Sequence, residues 1–229
     1  MKNKFGQEIN LDNLATEYGV DRQGLSDWLD MIAFMESDRT DKYQGTDDAS
    51  EGPIANLPAG GYYQIERGKD EGAMTRLTQS WLALPAELTP DYMERHVNEA
   101  RAQGNTYDVK KKLYKEGQDY LMAAHILVGS DLSYNEDTKK HFIEKGKTYD
   151  GANLINAMVD AESEEAARQI FKDWYLDYHW AGDKGDPKIR KKKGEWFDKK
   201  MKHYKRNKDW ADNTGPNSIF NEFNMDNFS

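Results

Sequence analysis

The sequence predicts a mainly α fold, a helical domain with at most a small β-hairpin. Three observations carry this. Apolar residues recur at three- and four-residue spacing in segment after segment, as in Leu25, Trp28, Leu29 and Ile32. Strict alternation of apolar and polar residues, the strand signature, is scarce. Helix start and stop signals punctuate the periodic runs, with Asp21, Thr89 and Ser163 ahead of them and Gly19 and Gly104 behind.

Taken in order, "LDNLATEYGV" reads as a short helix stopped at Gly19. Asp21 then caps a second helix whose apolar stripe, Leu25, Trp28, Leu29 and Ile32, continues into Glu36 four residues on. "SDRTDKYQGTDDASEGPIANLPAGG" is a long loop by its Asp, Ser, Gly and Pro content, and long loops in compact domains are often functional. "GYYQIE" suits a strand or a turn of helix, and "GAMTRLTQSWLAL" a helix ended by Pro85. Thr89 is expected to cap "PDYMERHVNEARAQ", with Pro90 at its first position. "YDVKKKLYKEGQDYLMAAHILVG" reads as one helix with a weak spot at Gly117. "DGANLINAMVDA" and "SEEAARQIFKDWYLDYHW" read as two more, the latter started by Ser163 and acidic residues and ended near Gly182. A basic helix is expected over "GEWFDKKMKHYKRNKDW", followed by an Asn- and Phe-rich tail. The expected organisation is an N-terminal helix or arm over 1–20, a main helical domain over 21–183, and a basic C-terminal helix and tail over 184–229.

The 229 residues are enough for a sizeable core. The chain is polar, at 37% hydrophobic and 32% charged residues with mean hydropathy −0.99. Its 12% aromatics and six Trp supply the bulk for packing. With no cysteine, disulfides, thiolate nucleophiles and Cys-based zinc sites are excluded. "MKNKFGQEINLDNL" lacks an apolar signal region, so synthesis without standard export is expected. No apolar run is long enough to span a bilayer, and no membrane insertion is expected. Net charge is −9, yet Lys184 to Lys208 holds twelve Lys or Arg against three Asp or Glu, leaving −18 for the rest. Such a segment serves an anionic partner, pairs with the acidic body, or forms a solvated face.

Glu36 is the first candidate for chemistry. Apolar neighbours disfavour a charged carboxylate, and a carboxylic acid that keeps its proton near neutrality can protonate a leaving oxygen, as glycosidic bonds require. The alternative is a helix-end glutamate turned to solvent. "AGGYYQIE" adds glycines that let backbone approach a ligand, and Tyr and Gln groups that suit a pyranose with hydroxyl and acetamido substituents; it also suits a plain hairpin with core tyrosines. "DYHWAGD" closes a long helix with an aromatic cluster before Ala181 and Gly182. Gln118 and Asp119 read as helix surface or as hydrogen-bonding groups in a cleft wall. The five histidines, His96, His125, His141, His179 and His203, have no paired spacing, and "TDDASEG" departs from calcium-loop spacing, so no metal or other cofactor is expected.

In this order the three pieces resemble the lytic transglycosylase and goose-type lysozyme superfamily, especially its phage-encoded members. Glu36-Ser37 matches the family's helix-ending Glu-Ser. Gly61-Tyr62-Tyr63-Gln64 matches its Gly-Leu-Met-Gln-like motif, with Tyr62-Tyr63 in place of Leu-Met. His179-Trp180-Ala181-Gly182, after Tyr178, matches its Tyr-Asn-Ala-Gly-like motif, with His-Trp in place of Tyr-Asn. The likeness spans residues 22 to 183. It implies a lysozyme-like fold and cleavage of the β-1,4 bond between N-acetylmuramic acid and N-acetylglucosamine in peptidoglycan. It also implies Glu36 as general acid and base, closing a 1,6-anhydro ring. Ser37, Gly61, Tyr62, Tyr63 and Gln64 would bind or position the sugar, and Tyr178 or His179 would line the cleft. The implied partner is the peptidoglycan glycan strand, met in the bacterial wall or periplasm by a virion-borne domain or an endolysin.

Three other readings stand beside this one. A hydrolytic lysozyme would use a second carboxylate, with Asp38, Asp41, Asp47 and Asp48 nearest in sequence. A structural or ejection protein of the virion would keep the fold without activity and engage other virion proteins through its tail. Nucleic-acid binding through Lys184 to Lys208, with Trp196, Tyr204 and Trp210 for stacking, is not expected, because the acidic body repels a phosphate backbone.

Overall fold

The computed structural model describes residues 1–40, 59–60, 62–63, 65–66, 83–103, 115–132, 150–179 and 186–206. The chain is mainly helical, as its periodicity predicts. The elements are α1 (Leu11–Glu17), α2 (Arg22–Ser37), β1 (Ala59–Gly60), β2 (Ile65–Glu66), a 3-10 turn (Ala86–Leu88), α3 (Met93–Gln103), α4 (Lys115–Leu132), α5 (Gly151–Val159), α6 (Glu164–Trp174), a π-helical turn (Tyr175–His179) and α7 (Pro187–Met201). β1 and β2 pair antiparallel, Ala59 with Glu66 and Gly60 with Ile65, so "GYYQIE" takes the hairpin form. The expected helix over 72–84 as far as Leu82, the bulk of the long loop (41–58), the start of the helix before Lys115, and the Phe-rich tail lie outside the described residues; Ala83 and Leu84, the last two positions of that expected helix, form a turn. Two compact units form, one from Met1–Tyr18 with Ile32–Tyr134, the other from Gly19–Met31 with Asn135–Ser229.

In the first unit α1 begins in a capping box. Asn10 accepts from Asp12 and Asn13, and the Asn13 side chain returns a bond to the Asn10 N–H. It buries Leu11, Leu14 and Ala15 and packs on α4. Gly19, at φ +62, follows its C-cap in the left-handed conformation that glycine tolerates. α4 is buried on every side from Gly117 to Ala124, which is why its apolar residues fill more than one stripe. Tyr120, closed to solvent, donates its hydroxyl to the Leu88 carbonyl at 2.7 Å.

The start of α3 differs from the expectation. Thr89 does not cap it; its hydroxyl turns back to the carbonyls of Leu84 (3.3 Å) and Pro85 (3.0 Å). The helix opens at Met93 instead. Residues 90 and 91 are drawn into extended pairing with the N-terminal segment: Asn3 bridges to Pro90, and Asp91 N–H bonds to the Lys2 carbonyl at 3.0 Å. The buried Asn3 amide secures that segment, donating to the Glu87 carbonyl at 2.7 Å and accepting from Phe5 and Gln7.

In the second unit the first part of α2 is capped as predicted, Asp21 accepting from Gly24 N–H at 2.6 Å. Asn156 fixes the approach, accepting from Asp21 N–H and donating to the Gly19 carbonyl, each at 2.9 Å. A methyl group built on Gly24 would lie 2.4 Å from a Val159 methyl, so glycine permits the close crossing of α2 and α5. Trp28 meets Phe171 and Trp174 edge-on, both at 5.2 Å, the preferred geometry for aromatic quadrupoles. α7 starts earlier and ends earlier than the expected 194–210, because Asp186 caps it and Pro187 takes its first position. Its basic segment partly pairs with acids of this unit, Arg190 with Asp177 and Arg206 with Asp27 at 2.8 Å, while Asp198 of α7 takes Lys172 from α6. Tyr204 adds a bond to Asp30 at 2.7 Å.

Candidate active site

α2 ends at the Glu36-Ser37 pair. Leu25, Trp28, Leu29 and Ile32 are all closed to solvent, and Glu36, next on the same stripe, is partly exposed. The carboxylate therefore sits where a fully buried face reaches the surface, at the negative end of the helix dipole.

Beyond it the chain reverses through two residues with left-handed backbone, Asp38 (φ 52) and Arg39 (φ 60). Each costs roughly 1–2 kcal/mol for a residue with a Cβ. The reversal is held by Asp38 N–H to the Phe34 carbonyl and Arg39 N–H to that of Ala33, both 3.1 Å. The Arg39 guanidinium lies 5.0 Å from the Phe34 ring centre, a cation–π contact that favours the same path. Such strain concentrates at functional sites.

Ser37 joins α2 to the hairpin. It is completely buried, and its hydroxyl reaches the Tyr62 carbonyl at 2.6 Å and the Ala33 carbonyl at 3.0 Å. From α4, buried Gln118 accepts the Tyr62 N–H at 2.9 Å. Both backbone polar groups of Tyr62, its N–H and its carbonyl, are thus met by side chains, one from each helix. Tyr63 is 2% exposed and donates its hydroxyl to Asp119 Oδ1 at 2.6 Å, while Lys115 approaches Asp119 Oδ2 at 2.5 Å. Asp119 is itself buried, and a buried carboxylate needs this kind of double partnership.

The expected site residues separate by role in this geometry. Glu36 and Tyr62 are partly exposed. Ser37 and Tyr63 are enclosed, with their hydroxyls engaged by protein groups, so they hold the hairpin and do not present a hydroxyl to a ligand. Gly61 and Gln64 lie outside the described residues, as do Asp41, Asp47, Asp48 and Trp180 to Gly182. Asp38 is exposed. Tyr178 and His179 belong to the second unit, in the π turn that continues α6. There His179 stacks on Trp174 at 5.1 Å and leans on Tyr175 at 5.5 Å. Single π turns inside helices recur at functional sites.

Gln118 and Asp119 are the supports that residue-by-residue reading leaves on the helix surface or in a cleft wall. The signal that finds them is the flanking run Tyr120 to Leu127: a helix that is apolar around its circumference buries its polar residues too, and these then need partners. Among the described residues, no group of three or more His, Asp or Glu is placed to hold a metal ion, and no helix is long and apolar enough to cross a membrane.

Comparison of the chain with protein-family models, with curated proteins and with solved structures found no match.

Proposed function

We propose that the chain adopts a lysozyme-like fold and cleaves the β-1,4 bond between N-acetylmuramic acid and N-acetylglucosamine in peptidoglycan, with Glu36 as the acid and then the base. The observation that supports this most is the 2.6 Å hydrogen bond from Ser37 to the Tyr62 carbonyl. It ties the residue after the candidate acid to the hairpin loop that carries the second motif, 25 positions along the chain. Two motifs that are unremarkable alone become one local structure, braced from α4 by Gln118 and Asp119.

In this reading Glu36 enters the reaction protonated, as apolar neighbours and a helix C-terminus favour. It donates the proton to the glycosidic oxygen, and the N-acetylglucosamine side leaves as an alcohol. Positive charge then develops at the muramoyl C1, where the substrate's own acetamido group stabilises it. The Glu36 carboxylate takes the proton of the muramoyl 6-hydroxyl, whose oxygen bonds to C1 and closes the 1,6-anhydro ring. The proton count balances, and no second carboxylate is required. Action in the bacterial wall or periplasm follows from the substrate.

The test is digestion of purified peptidoglycan by the full chain, with soluble products weighed by mass spectrometry. Anhydro-muropeptides are the expected products. Products one water heavier make the enzyme a hydrolase, with exposed Asp38 the first residue to examine. No soluble product over a range of pH and salt refutes the catalytic reading and leaves a structural role in the virion.

A further inference from the structure

α7 carries a second surface that the peptidoglycan reading does not use. Ile189, Lys192, Trp196 and Lys199 follow one another at three- and four-residue spacing and share one face of the helix, with Lys193 and Lys200 beside them. Ile189 (40%) and Trp196 (38%) are two of the three exposed large hydrophobic residues among those described. Lys192 and Lys199 are exposed next to them. Of the acids of α7, Asp198 lies on the opposite side, held by Lys172 at 2.5 and 2.7 Å, while exposed Glu195, 3.9 Å from Lys191, borders the stripe between Lys192 and Lys199 and is outnumbered there by Lys192, Lys193, Lys199 and Lys200. Arginines 190 and 206 turn inward to Asp177 and Asp27. The charge that dominates this face is lysine, a flexible point charge suited to a diffuse anionic surface more than to a fixed phosphate pocket.

We propose that this face docks the protein peripherally on an anionic lipid surface. An indole and an isoleucine in the middle of a lysine field match the interfacial arrangement, in which apolar groups enter the headgroup boundary and ammonium groups stay at the phosphates. From Ile189 to Lys200 the stripe is about 16 Å long, at 1.5 Å per residue, enough to engage several headgroups. A stacked nucleic-acid base fits less well. The Trp196 ring already has the Lys193 ammonium 3.6 Å from its centre and the Tyr175 ring stacked with it at 6.4 Å, and Ile189 offers no base a partner. The proposal needs neither Glu36 nor peptidoglycan.

The experiment is co-sedimentation of the full chain with vesicles of equal parts phosphatidylglycerol and phosphatidylcholine, with pure phosphatidylcholine vesicles alongside. Binding is expected to the anionic vesicles alone and to fall at high salt. Each lysine near such a surface contributes a factor of about five, so Lys192→Ala with Lys199→Ala is expected to lower the partition coefficient about thirtyfold. Ile189→Ser and Trp196→Ala are expected to weaken binding at fixed charge. Unchanged circular dichroism melting shows that the variants are folded. Equal binding to both vesicle types, no binding to anionic vesicles, or full binding by the folded lysine variant overturns the proposal. So does retention of a single-stranded oligonucleotide or purified peptidoglycan through these lysines while the vesicles are ignored.

Discussion

Removing the Ser37 hydroxyl probes the joint on which the candidate site is built. A serine hydroxyl has one proton, and the 2.6 Å contact to the Tyr62 carbonyl is shorter than the 3.0 Å contact to Ala33, so the bond to Tyr62 is the principal one. Ser37→Ala loses it in a position fully closed to solvent. A lost hydrogen bond with a buried acceptor left behind costs about 2 kcal/mol, and the better helix propensity of alanine returns about 0.5 kcal/mol. The net is about 1.5 kcal/mol, roughly tenfold in the folding equilibrium. With a urea m-value of about 2 kcal/mol/M the midpoint falls by about 0.7 M. Gln118→Met removes the acceptor of the Tyr62 N–H at similar side-chain volume. Because both changes act on the backbone of one residue, Tyr62, through the peptide groups on either side of its Cα, the double variant is expected to depart from additivity by at least about 0.5 kcal/mol. Peptidoglycan release by Ser37→Ala is expected to drop at a temperature where the variant is still folded, since small misplacements of positioning groups are costly to rate. A midpoint shift below about 0.2 M, together with strict additivity, would refute the claim that these two side chains share the hairpin as a common load.

Further outcomes follow from the packing. Gly24→Ala forces a methyl to 2.4 Å from Val159 and is expected to destabilise by about 1–3 kcal/mol, whereas Gly194→Ala, whose new methyl would meet Leu176 at an ordinary 3.7 Å, is expected to stabilise by about 0.5–1 kcal/mol through helix propensity; urea titration of the two variants should show opposite signs. Arg206→Ala takes the guanidinium away from Asp27 in a site where the pair's side chains are 4% and 1% exposed, so a loss of about 3–5 kcal/mol is expected by thermal or urea unfolding. Burial first, then Glu116 and Asp91, push the Tyr92 hydroxyl up to about 12 from its ordinary 10. The folded state thus holds this proton more tightly, and its contribution is complete below about pH 10 and lost as pH rises toward 12. Tyr92→Phe is expected to flatten the alkaline limb of the stability profile over that window.

How much of this is legible in sequence depends on whether the deciding contact is local. The α2 stripe, the Asp21 and Ser163 caps and the Gly19 stop all depend on residues within one or two turns, and each appears where the periodicity puts it. The start of α3 does not, because Lys2 and Asn3 pair with residues nearly ninety positions away and override the local Thr89-Pro90 signal. The early start of α7 was readable in Asp186-Pro187, a cap followed by a first-turn proline, but the lysine run that follows masks the helix pattern. The π turn at Tyr175–His179 has no breaker residue to announce it. In the candidate site, the Glu36-Ser37 and Tyr62-Tyr63 pairs are visible as motifs. What sequence alone leaves out is that Ser37 and Tyr63 point into protein, since burial on an uneven surface is decided by the partners Gln118, Asp119 and Lys115 on α4.

The most direct measurement compares the folded Glu36→Gln variant with the unaltered chain on the same purified peptidoglycan, following release of muropeptides. The amide keeps the shape of the side chain and removes its proton. Loss of nearly all release, with an unchanged unfolding midpoint, is the expected result. Release by Glu36→Gln at a rate near that of the unaltered chain would contradict the assignment of Glu36 as the acid.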